Sequence, residues 1–408
     1  MTRLLRLALP CLLLLLAESA AAQAIEDPGP HAVGWRDVSF VDANFGRGTV
    51  TGRIYYPATS AGQNRPADPA NGPYPLSGFM HGFLGSPPFY DNICTHAASW
   101  GFVVASIGTE TGFNATMQNE AADTRALLHW VNDQSGTPGA WLAGMVGAGD
   151  WSASGHSMGG GACMYLIGLE PKVRVIVPLE PYRGTALGGY VGSRNNVRNF
   201  TGVMHCIAGS VDTTVPPRTM VYQYYRDGFV ASRNFFNEVT GMGHGGPTDF
   251  PPNDEPLSGA EQHRLHRRLL TGTLRAELLG EEDLYRDLFG DGAAGEPLVL
   301  ESDCDEPPLW VLQTGTSPRQ VGIGLAGNTT DAVAFGVSLL PASINTPFGV
   351  LGLDPGVGFV FYQAPLPATG AVEVSAPIPS VLVGQTLYFQ GLSIPGGSFS
   401  RATDLLIQ

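Results

Sequence analysis

The chain has 408 residues and a formal charge of −14, with 22 Lys and Arg against 36 Asp and Glu. That length predicts two domains and a sizeable core, and the acidic balance excludes a general nucleic-acid binder, which needs clustered cations to hold phosphates. Past the N-terminal region no stretch is long and apolar enough to span a bilayer, so integral membrane anchoring is not expected.

The opening stretch "MTRLLRLALPCLLLLLAESAAAQA" places Arg3 and Arg6 before an apolar run from Leu7 to Ala17, followed by small residues at Ala20 to Ala22. That order predicts a secretory signal over residues 1–24 and a secreted product, extracellular or periplasmic. Cys11 precedes the long Leu run, whereas a lipoprotein cysteine would follow it, so a lipid anchor is not expected. Cys94, Cys163, Cys206 and Cys304 remain after the signal. In an oxidising compartment they permit two disulfides with three connectivities, and Cys163 and Cys206 fit equally well as free core residues. None has CxxC spacing, so zinc is not expected.

From residue 25 onward, short β-rich runs alternate with helical ones. The strand candidates are "VTGRIYYP", "YPLSGFMHG" and "FVVASIG", followed by the helical "NEAADTRALLHWVND". Then come "DWSASGHS", a helix beginning at Ser157, and the strands "VRVIVPL", "VMHCIAGS" and "NFFNEVTGM". Such alternation predicts an α/β domain over 25–290, a mostly parallel sheet covered on both faces. Its last elements are the amphipathic helix "GAEQHRLHRRLLTGTLRAELL" and the acidic "EEDLYRDLFGDGAAGE". A solvated helix face is expected at His263, Arg264, His266, Arg267 and Arg268. A linker is placed at 291–307 and a smaller all-β, sandwich-like domain at 308–408, with candidates "QVGIGLAG", "AVAFGVSLL", "GFVFYQA" and "QTLYFQGL". The chain beyond residue 298 holds no histidine, so acid/base catalysis by an imidazole belongs to the first domain.

The stretch "ASGHSMGGGACMYL" contains GxSxG at 155–159, between a strand and a helix. Glycines at this spacing allow a tight strand-to-helix turn that exposes the Ser157 hydroxyl at the carboxyl edge of the sheet, with helix N–H groups facing it. A serine hydroxyl alone is a poor nucleophile, so it needs a base, and the base needs orienting. "GMGHGG" supplies His244 after a strand, and "AGSVDTTVP" supplies Asp212 just past another. The order Ser157, Asp212, His244 is that of α/β-hydrolases. Glu180, after the preceding strand, is the rival acid. Backbone N–H groups of Met158 and of Phe83, in "MHGFLGS", are the candidate oxyanion donors. His81 and His156, beside these groups, read as structural.

"SGFMHGFLGSPPFYDNICTHAASWGFVVASIGTE", "GHSMGGG", "VRVIVPLEPY", "AGSVDTTVPP" and "GMGHGG" together resemble the secreted bacterial cutinase-like polyester hydrolases of the α/β-hydrolase superfamily. They are also similar to the chlorophyllase, dienelactone hydrolase and platelet-activating-factor acetylhydrolase groups. The resemblance covers residues 32–270. It implies an aromatic cleft wall at Phe83, a match of Met158 to the family's methionine, and Tyr182 where many members carry Trp. His156 stands where some members have Trp. Glu180 occupies a usually neutral position, and the Gly/Asn-rich loop 183–199 is long.

These observations predict a serine hydrolase that cleaves carboxylic esters through an acyl-enzyme, without a cofactor, on polyester, cutin-like or short-to-medium acyl substrates. A triacylglycerol lipase is the alternative within that chemistry. The alternative of another class is a non-catalytic surface- or polymer-binding protein acting through the C-terminal β-domain.

Overall fold

The computed structural model describes residues 23–252, 254–315, 319–394 and 397–408. The predicted signal sequence therefore lies outside the described residues, apart from its last two positions. Ten strands form one sheet: β1 (Val33–Asp42), β2 (Gly48–Pro57), β3 (Gly62–Gln63), β4 (Leu76–Met80), β5 (Val103–Ile107), β6 (Trp151–His156), β7 (Val173–Leu179), β8 (Val203–Gly209), β9 (Arg233–Val239) and β10 (Leu298–Cys304). Their order is β10-β9-β8-β7-β6-β4-β5-β2-β1-β3. The run from β5 through β4, β6, β7 and β8 to β9 is parallel. The pairs β1/β2, β2/β5 and β9/β10 are antiparallel.

Every residue of β4, β5, β6 and β8 is buried, as a parallel sheet covered on both faces requires. The covering helices are α1 (Asp91–Ser99), α2 (Met117–Gly136), α3 (Met158–Leu169), α4 (Arg194–Arg198), α5 (Tyr222–Asp227), α6 (Gly259–Leu278) and α7 (Leu284–Phe289). On one face Leu127 and Leu128 of α2 and Cys163 and Met164 of α3 pack with Leu76, Val103 and Ile176. On the other, Ile93 of α1 and Leu265 and Leu269 of α6 pack with Phe79, Val104 and Val177. The two long helices begin at capping side chains: Thr116 Oγ1 accepts the Asn119 N–H and Ser258 Oγ accepts the Glu261 N–H. With Glu261 three residues on, Ser258 opens a capping-box sequence.

The remaining strands are β11 (Leu309–Thr314), β12 (Gln320–Ala326), β13 (Ala332–Ser338), β14 (Pro341–Thr346), β15 (Gly349–Leu353), β16 (Gly358–Pro365), β17 (Ala371–Pro377), β18 (Thr386–Ile394), β19 (Ser398–Phe399) and β20 (Thr403–Leu406). One sheet runs β11-β12-β17. A second runs β16-β13-β18-β19, with β20 also paired to β18, and β14 and β15 form a separate hairpin. Ile323 and Leu325 of the first sheet meet Val333, Phe335 and Phe389 of the second in a shared core, the sandwich expected from the sequence.

Two expectations need correction. The segment expected as a linker, 291–307, contains β10, which pairs along its whole length with β9 and so completes the large sheet. Just past it, Trp310 is fully buried in the core cluster that holds α6 and α7, and Arg286 of α7 pairs with Glu373 of β17 at 3.1 Å. The boundary is thus a packed junction. Secondly, the expected solvated face of α6 is largely covered. His266 and Arg268 are buried, because Glu180 lies against His266 while Glu26 and the Asp287 and Gly292 carbonyls bind Arg268. Arg264 bonds Glu26, Glu261 and Glu296. The four cysteines outside the signal are all free thiols, with Cys94, Cys163 and Cys206 buried.

Candidate active site

Ser157 joins β6 to α3 with φ 53° and ψ −112°, a left-handed backbone held by an N–H bond to Leu179 O at 3.0 Å. The flanking glycines are sterically required. A Cβ on Gly159 would sit 2.2 Å from Met80 O, and one on Gly155 would sit 2.5 Å from Gly159 O. Those neighbours are backbone atoms of the packed β4 and α3 and cannot move aside. The turn therefore lifts Ser157 to the carboxyl edge of β6, where the loops after β4, β8 and β9 also arrive.

Asp212 lies in the turn after β8, three per cent exposed, and His244 lies in the loop after β9. The Ser157 hydroxyl donates to His244 Nε2 at 2.9 Å, and His244 Nδ1–H donates to Asp212 Oδ2 at 2.7 Å. The other Asp212 oxygen accepts the Thr214 and Val215 N–H groups, each at 2.8 Å. Those two bonds fix the orientation of the carboxylate. Glu180, the rival acid, is turned elsewhere: its Oε1 meets His266 Nε2 at 3.2 Å, and burial pushes its carboxyl up.

The loop after β4 closes the other side. Gly82 lies against the elbow, so close that a Cβ there would stand 3.5 Å from Ser157 Cβ and 3.0 Å from His156 Nδ1. Met158 is fully buried, while Phe83 is 38% exposed and meets Phe113 edge-on at 6.3 Å. Tyr182 is partly buried and donates its N–H to Ser157 O at 2.8 Å. Phe89 and Phe250 form a further exposed edge-on pair. Sequence reading did not single out these outer aromatics, since a phenylalanine in a loop carries no periodic signal.

Tyr90 was also missed. Its hydroxyl accepts the Gly82 N–H at 2.9 Å and donates to His156 Nδ1 at 2.9 Å, while His156 Nε2–H donates to His244 O at 2.8 Å. Burial and the neighbouring His244 hold the His156 imidazole well below its usual range, so this tautomer is neutral. His81 and His156 are both buried. Among the described residues no cluster of three or more His, Cys, Asp or Glu has the geometry of a metal site.

This sheet, with Ser157 on a tight strand-to-helix turn and the loops after β8 and β9 converging on it, is an α/β-hydrolase. The profile described as PET hydrolase-like matches residues 18–244, and the chain belongs to that family of carboxylic ester hydrolases. Cutinase 1 of Thermobifida cellulosilytica is 26% identical over 220 residues, covering 54% of this chain and 73% of the relative. Cutinase of Thermobifida fusca (strain YX) is 26% identical over 220 residues, covering 54% of this chain and 64% of the relative. Lipase 1 of Moraxella sp. (strain TA144) is 27% identical over 177 residues, covering 42% and 48% respectively.

Proposed function

We propose that this protein is an exported serine esterase acting on polyester, cutin-like or short-to-medium acyl esters. The observation that carries the reading is the continuous hydrogen-bonded line from Ser157 through His244 to Asp212. In it, His244 takes the Ser157 proton as Oγ attacks the ester carbonyl, and Asp212 holds the tautomer and faces the imidazolium that forms. The Phe83 and Met158 N–H groups receive the oxyanion. His244 then protonates the leaving alcohol, and water releases the acid from the acyl-enzyme by the same route.

Phe83, Phe113 and Tyr182 suit an apolar acyl or aromatic group beside the nucleophile. Export rests on the N-terminal charge, apolar and small-residue order. Among the described residues no helix is long and apolar enough to cross a membrane.

The test is hydrolysis of 4-nitrophenyl butyrate by residues 25–408 beside Ser157→Ala, followed by palmitate esters and polyester film. Activity lost with Ser157 and retained on film and butyrate supports the reading. Activity confined to long-chain emulsions moves it to a triacylglycerol lipase, the reading nearer to the Moraxella relative named Lipase 1. A polymer-binding role for the β-domain has its own observation: Phe348, Phe359 and Val360 are more than half exposed on a stretch whose only charge between Asp331 and Glu373 is Asp354. No turnover on any ester, with film adsorption retained, would favour that role.

A further inference from the structure

The His81 ring is fully buried between two carbonyls, Gly82 O at 2.9 Å from Nδ1 and Thr109 O at 2.8 Å from Nε2. A neutral imidazole has one N–H and one lone pair, so it satisfies only one of them and turns its lone pair on the other. The imidazolium satisfies both. Glu120, in the first turn of α2, is also fully buried, and its Oε1 stands 3.6 Å from His81 Nδ1. Among the described residues neither Glu120 oxygen has a hydrogen-bond partner. A buried carboxylate without one calls for a facing positive charge.

We propose that His81 and Glu120 form a buried imidazolium–carboxylate pair that positions and polarises the Gly82–Phe83 peptide, the one whose N–H serves as oxyanion donor. This rests on the esterase reading above. Gly82 C=O and Phe83 N–H are the two ends of one planar amide. A charge-assisted bond to that oxygen fixes the plane and strengthens the N–H at its far end as a donor.

Burial works against the charge on both partners, holding the His81 imidazole below its usual range and the Glu120 carboxyl well above it, while the Gly82 and Thr109 carbonyls favour charge at the ring and the His81 backbone N–H favours it at the carboxylate. The N-terminus of α2 also favours it at the carboxylate. Glu110 favours the charged ring, and Asp123, bound by Arg47 and the Thr109 hydroxyl, faces from the same helix. His81 and Glu120 touch no reacting atom, so they are positioning residues.

Two measurements test this on the mature chain. In the first, 15N NMR of histidine-labelled protein, with His81 assigned through His81→Gln, reads both ring nitrogens at pH 8. Both protonated is the expected result, and a single neutral tautomer overturns the proposal whatever the Glu120 variants do. In the second, Glu120→Gln is assayed with 4-nitrophenyl butyrate and with butylboronic acid, whose tetrahedral adduct places an oxygen in the oxyanion hole. The expected result is kcat lowered about tenfold with KM within about twofold, a boronic acid affinity lowered by the same factor, and rescue by Glu120→Asp; loss of a whole oxyanion donor costs about 10²- to 10³-fold. Unchanged kcat, or a fall in kcat without weaker boronic acid binding, overturns the proposal. A wild type without esterase activity removes the esterase reading instead and leaves the NMR result to decide the pair.

Discussion

The carbonyl of His244 accepts a hydrogen bond from Nε2 of His156, the residue just before Ser157, at 2.8 Å. The proposed base is thus anchored to the elbow by its own backbone, while its ring bridges Ser157 and Asp212. Tyr90 extends the same line to Gly82, so three loops share one neutral imidazole. Tyr90→Phe leaves both the Gly82 N–H and His156 Nδ1 without a partner. Chemical denaturation should show a loss of about 1–3 kcal/mol, and kcat should fall about tenfold with little change in KM.

At Ser157 the left-handed backbone and the hydroxyl make separable contributions. Ser157→Ala removes the proposed nucleophile and should lower kcat by at least about 10⁴-fold while leaving the melting temperature close to wild type, because the Cβ and its strain persist. Ser157→Gly should be equally inactive and more stable by about 1 kcal/mol, since relief of the strain outweighs the added chain entropy. Calorimetry of the two variants side by side checks this.

Asp212 and Glu180 compete on paper for the same role, and their partners separate them. Asp212→Asn should lower kcat about 10⁴-fold through the wrong His244 tautomer. Glu180→Gln, whose partner is His266, should retain kcat within about threefold. A collapse of activity in the Glu180 variant alongside a mild effect at Asp212 would reverse the assignment.

Stability should fall on acidification. Burial lowers His96 and His205 to about 4 in the fold, against about 6.5 when unfolded. Between those values the unfolded chain binds protons that the native chain refuses, so stability rises with pH. The contribution is fully present above about pH 6.5 and is lost as pH falls toward 4, with about 3 kcal/mol at stake per histidine. Denaturant midpoints measured from pH 7 to 4 should drop, and His205→Gln should flatten the slope.

The elbow was readable because a strand, two obligatory glycines and a helix lie within a dozen residues, and the steric reason for each is local. Asp212 and His244 followed from their places after β8 and β9. Contacts closed from far along the chain were not readable. His266 and Arg268 look like an exposed basic stripe until Glu180 and Glu26 are brought against them. "LVLESDC" has the charges of a linker, yet residues 298–304 meet β9 in register. Glu120 carried a visible signal, an acid on the stripe of buried positions Met117, Ala121, Thr124 and Leu128 of α2, with Asp123 buried beside it.

The tenth strand also ties the fate of the C-terminal part to that of the active site. Leu298 pairs with Val239, and Pro297 O accepts the Thr240 N–H at 2.8 Å, only a few residues before His244. Cutting the chain at residue 297 would bare the edge of β9 and release the root of the histidine loop. The tail is therefore no detachable passenger: as heat or a protease frees it, the base should lose its footing in the same event, and activity and the outer sheet should disappear together.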